Sequence, residues 1–66
     1  MKYWIKERHN PQIGIYYVRM GKMSKKEAKK RESSLYGSNY MIPFDSEEAY
    51  EAHIAQLIFD GQQVQS

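Results

Sequence analysis

Sixty-six residues without a cysteine make one small domain and exclude both a disulfide scaffold and a thiolate metal site, the two commonest supports of chains this short. A composition 41% hydrophobic and 27% charged, with six Tyr, two Phe and one Trp, belongs to a globular chain rather than a disordered tail. The net charge of +2 conceals a split: all ten Lys and Arg lie in residues 1–31 beside only Glu7 and Glu27, giving +8, whereas residues 32–66 hold six acids and no Lys or Arg, giving −6.

Such a split points to a polyanionic partner for the basic part, or to two halves that neutralise each other in the fold. No stretch approaches the roughly 18 apolar residues of a membrane span. The opening MKYWIKERHN carries charges where a signal peptide carries its apolar run, so a cytoplasmic protein without a membrane partner is expected.

The chain begins as a hairpin. KYWIKER (2–8) and GIYYVRM (14–20) are rich in aromatic and β-branched residues, and the intervening HNPQI contains the Asn-Pro pair that favours a turn. A register that sets Arg8 against Ile15 also pairs Ile5 with Val18 and Tyr3 with Met20, which makes that apolar face the core. The other face then carries Trp4 across from Arg19 and Lys6 across from Tyr17, an interleaving of rings and cations of the kind that stacks bases and tracks phosphates. Alternatively that face is covered, with Lys6 and Arg19 snorkelling around the rings.

GKMSKKEAKKRESS (21–34) opens a helix at about Lys25. Ser24 and Glu27 form a capping box, Met23 and Ala28 a hydrophobic staple, and Gly37 in the left-handed conformation would close the helix after Tyr36. Ala28, Arg31 and Leu35 share the inner side, and Lys25, Lys26, Lys29 and Lys30 the outer one. Lysines at a helix N-terminus oppose its dipole, and Lys25 with Lys29 and Lys26 with Lys30 repel at i, i+4. The helix therefore carries cations at a cost to its own stability, which suggests that they bind something.

SNYMIPF (38–44) reads as a strand with Tyr40, Ile42 and Phe44 on one side, and Pro43, lacking a donor, places it at an edge. In DSEEAYEAHIAQLIFDG, Asp45 is the expected cap, Glu48 completes the box, Phe44 and Ala49 make the staple, and Gly61 closes the helix. Tyr50, Ile54, Leu57 and Ile58 form its packing stripe, and Val64 could add a last short strand. The expected fold is α+β: a small two-layer sandwich of order β-β-α-β-α(-β), an N-terminal antiparallel hairpin with two helices covering the core face of one sheet. If Val64 pairs in parallel beside the third strand, the crossover through the second helix is right-handed.

No catalytic constellation is visible. His9 and His53 lie 44 positions apart without partners at metal-ligand spacing. Glu47, Glu48 and Glu51 are accounted for as helix-start residues. The four glycines are single and make no phosphate loop. The chain reads as non-enzymatic, without cofactor or metal.

A hairpin leading directly into a helix that opens SKKEA loosely resembles the small three-stranded DNA-binding domains at the N-termini of phage-type tyrosine integrases, over about the first 30 residues. The third strand those domains place before the helix has no counterpart here, so no residue role follows from the resemblance.

Two functions fit. One is a module whose basic half engages nucleic acid through Lys25, Lys26, Lys29 and Lys30 with Lys6, Arg8 and Arg19, using Trp4 and Tyr17 as stacking surfaces. The other is a small adaptor or inhibitor of the phage or mobile-element kind. It would bind an acidic or other protein surface through the exposed hairpin face or the Pro43 edge, with Trp4, Tyr17 and the arginines as anchors. The charge split also suggests a weak homodimer.

Overall fold

The computed structural model describes residues 1–32 and 38–66. Its elements are β1 (Lys2–Asn10), β2 (Gly14–Met23), α1 (Lys25–Glu32), β3 (Ser38–Phe44), α2 (Glu47–Phe59) and β4 (Val64–Gln65), so the α+β class and the β-β-α-β-α-β order are as the sequence indicates. The expected close of the first helix at Tyr36 and Gly37, and Leu35 on its inner side, fall outside the described residues.

The four strands form one mixed sheet in the order β3-β1-β2-β4, with β1 antiparallel to both neighbours and β4 parallel to β2. β1 is an interior strand, and Ile5 near its middle is completely buried. The hairpin turn is held by Asn10, whose side-chain oxygen accepts from the backbone N–H of Gln12 and of Ile13 at 2.8 and 3.1 Å, a side-chain mimic of a backbone turn. β3 is an edge strand, which accommodates Pro43. Val64 pairs with Tyr17 of β2, not beside β3, because the far edge of the hairpin is the one the α2 crossover reaches.

The hairpin register differs from the expected one by a residue. Lys6 faces Val18, Glu7 faces Tyr17 and Arg8 faces Tyr16, and a bulge between Trp4 and Ile5 leaves Met20 unpaired before Trp4 meets Gly21. The one-residue slip moves the β2 side chains ahead of the bulge to the other face: Tyr17 and Arg19 join Ile5, and Val18 joins Lys6. Gly21, at φ +81°, supplies the positive φ that the bulge requires. Its N–H donates to the hydroxyl of Tyr50 at 3.2 Å, so the core tyrosine of α2 also holds the bulge.

The helices lie on opposite faces of the sheet, one each, where the sequence had placed them together. β2-α1-β3 crosses β1 in one direction and β3-α2-β4 crosses back in the other; two right-handed crossovers running in opposite directions deliver their helices to opposite faces. The side chains agree. Tyr50, Ile54 and Leu57 of α2 pack with Ile5, flanked by Tyr3, Tyr17, Phe44 and Val64. Ala28 of α1 lies instead with Trp4, Met41 and Pro43, residues that alternate with the Ile5 set along β1 and β3.

Three local expectations change. The N-cap of α2 is Ser46, whose Oγ accepts from Ala49 N–H at 3.1 Å, and Asp45 instead pairs with Lys2 at 2.9 Å. Ile58 is not part of the packing stripe: it is 60% exposed, because Ile54 and Leu57 already span the face that meets the sheet. Arg31 is exposed and pairs with Glu27 one turn back at 3.1 Å. Gly61 closes α2 as expected, at φ +81°.

Candidate nucleic-acid interface

The α1 layer gathers the cations. Ser24 caps α1 through its Oγ, which accepts from Glu27 N–H at 3.2 Å, and buried Ala28 fixes the helix on the sheet. This rotation leaves Lys25, Lys26, Lys29 and Lys30 exposed. Lys25, Lys26 and Lys29 form no ion pair among the described residues.

Lys6 and Arg8 extend the cationic surface from the same face of β1. Lys6 is held below the usual lysine range by burial first, then by the positive charges of Arg8 and Arg31. The guanidinium charges of Arg8 on β1 and Arg31 on α1 are thus close enough to disfavour the protonated form of Lys6. Arg8 is oriented by an Nε–H···Oδ1 bond to Asn39 at 3.1 Å and lies over the ring of buried Tyr16, 5.5 Å from its centroid. Most of the charge follows the layers as well, with Arg19 and Lys22 of β2 as the cations on the α2 side. The α1 side carries these cations with Glu27 and Glu32; the α2 helix has Glu47, Glu48 and Glu51 and no Lys or Arg.

The remaining expected site residues are placed elsewhere. Trp4 does not present an open stacking face: it is 6% exposed, and its indole N–H donates to the Met23 carbonyl at 2.9 Å. Tyr17 is on the α2 side, half-buried against the core, its phenol pushed above the usual range by burial, by the Glu7 charge and by a hydrogen bond to Glu7. Arg19, on the same side, pairs with Glu51 and lies over the Tyr50 ring, 5.6 Å from its centroid.

Between α1 and β3 runs a groove of about 260 Å³ with Trp4, Ala28, Met41 and Pro43 below and Lys25, Lys29 and Glu32 at its rim. No sequence signal marks it, because its floor is drawn from three separate elements. The two histidines make local contacts: His9 Nε2 lies 2.5 Å from Glu7 and its ring 5.4 Å from Tyr40, and His53 stacks near Phe44 at 5.1 Å. Among the described residues no three His, Asp or Glu side chains converge to hold a metal, and no helix is long and apolar enough to cross a membrane.

Comparison with known proteins places the chain in no group: no protein family, curated protein or solved structure matches it.

Proposed function

We propose that this protein is a small non-catalytic binding module whose α1 face engages a polyanion, nucleic acid being the one whose chemistry fits best. The observation that carries the reading is the convergence of Lys25, Lys26, Lys29 and Lys30 with Lys6, Arg8 and Arg31 on one side of the sheet. Cations so arranged repel one another, and a row of phosphates relieves that repulsion while releasing condensed counterions. The proposed interface no longer includes Trp4, Tyr17 and Arg19, whose rings and guanidinium are engaged within the fold. Contact is thus to the backbone, with little base stacking.

The test is salt-dependent binding to duplex DNA and to single-stranded DNA and RNA. Replacing Lys25, Lys26, Lys29 and Lys30 together by Gln should flatten the slope of log affinity against log salt on duplex by roughly 3 to 4. Parent and variant binding alike, or a parent that binds none of the three at low salt, would overturn the reading.

A second reading, a protein-binding adaptor or inhibitor, is favoured by exposed apolar side chains at the hairpin end, Ile13, Ile15 and Tyr40, beside the open β3 edge. Such an interface would show a shallow salt dependence and loss of binding on Ile15→Asp.

A further inference from the structure

The end of α2 carries the most exposed aromatic side chain among the described residues. Phe59 is 86% exposed and its neighbour Ile58 60%. On the 100° helical wheel Phe59 falls in line with Glu48, Ala52 and Ala55, directly opposite the buried Tyr50, Ile54 and Leu57. Asp60 follows at the cap, held by Gln56 Nε2–H at 3.0 Å. No basic residue occupies the last turn, so the partial negative charge of the helix C-terminus adds to that of Asp60. The feature is an apolar knob in an electronegative setting.

The groove of the α1 layer is its complement. Its floor of Trp4, Ala28, Met41 and Pro43 is apolar, its rim is Lys25, Lys29 and Glu32, a net positive set, and its volume of about 260 Å³ admits a phenyl ring. Lys25 stands in the first turn of α1, where the helix dipole is positive and disfavours it, and Lys29 stands in the last turn. Knob and groove are on opposite layers of the same molecule, so one chain cannot join its own.

We infer that Phe59 of one copy docks in the α1 groove of a second copy, with Asp60 and the negative end of α2 set against Lys25 and Lys29. The contact is heterologous: each molecule uses its acidic layer toward one neighbour and its basic layer toward the other, and assembly proceeds head to tail. The same lysines serve the proposed polyanion interface. Nucleic acid and a second copy therefore compete for the α1 layer, and polyanion binding would take the assembly apart.

Sedimentation velocity of the full chain and two variants tests this. The weight-average sedimentation coefficient of the parent should rise with concentration past the dimer value. Phe59→Asp removes the knob at an exposed position, and the double change K25E/K29E reverses the rim; each should weaken association by roughly ten- to hundredfold, the scale of one lost aromatic anchor. Mixed in equal amounts, the two variants should form a one-to-one pair, since each retains the half the other lacks. Phe59→Ala repeats the test if the aspartate variant gives no cooperative melt by circular dichroism.

A parent that stays monomeric at its highest soluble concentration overturns the inference and leaves the groove to an acidic, aromatic segment of another protein. A plateau at dimer, or a mixture of variants that remains monomeric, also overturns it in favour of a symmetric contact. None of these outcomes depends on nucleic-acid binding, which is scored separately by the lysine-to-glutamine variant.

Discussion

Replacing Trp4 by Phe tests whether the tryptophan is a structural support of the α1 layer, as its geometry requires. The ring is 6% exposed and its N–H is bonded to the Met23 carbonyl at 2.9 Å, so the substitution removes one bond at a part-buried site and shrinks the floor beneath α1. The bond contributes about 1 kcal/mol, and the lost aromatic area, on the order of 40 Å² at about 25 cal/mol per Å², another 1 kcal/mol. A loss of about 2 kcal/mol is a large part of the roughly 3 to 10 kcal/mol available to a chain of this length. In urea, with a slope of about 1 kcal/mol per molar, the midpoint should fall by roughly 2 M. Far-UV circular dichroism follows the transition, since the variant has no indole. In the parent, the native emission should lie well to the blue of the denatured emission and resist acrylamide. A midpoint shift under about 0.5 M, or a native emission as red as the denatured one, would refute the placement of Trp4 and with it the seating of α1.

Three further outcomes follow from the packing and caps. Ser46→Ala should cost about 1 kcal/mol by urea denaturation, whereas Asp45→Asn, which breaks only a surface pair with Lys2, should change stability by less than about 0.5 kcal/mol; equal effects would restore Asp45 as the cap. Ile54→Ala should cost about 2 to 4 kcal/mol and Ile58→Ala almost nothing, the reverse order placing the wrong side of α2 on the sheet. The Tyr17 phenol is held above its ordinary pKa of 10.0 in the fold, so above about pH 10 the unfolded chain releases a proton that the folded chain keeps, and stability falls as pH rises. Below the unfolded pKa the contribution is fully present. Parent and Tyr17→Phe should therefore converge in stability from pH 9 to 11 at constant ionic strength, and parallel curves would show that the phenol is not held by burial and Glu7.

The sequence by itself determined the elements. Periodicity and capping chemistry are local, so Ser24 with Glu27, the Gly61 close, the Pro43 edge strand and the Tyr50, Ile54, Leu57 stripe are all legible within a few residues of themselves. It also determined that the cations concentrate on α1, because helix geometry alone puts Lys25, Lys26, Lys29 and Lys30 outward once Ala28 faces in. What only the tertiary structure decided is which face each strand residue occupies. The turn sets Asn10 against Gly14, one residue away from the expected register, and no local signal distinguishes the two registers when both faces carry aromatics and cations. Because of that shift Tyr17 and Arg19 lie under α2, while Trp4, Lys6 and Arg8 lie with α1. The division of the helices between the two faces depends on the direction in which each crossover traverses the sheet. That direction depends on the strand order, and strand order is a property of pairings between residues as far apart as Tyr17 and Val64.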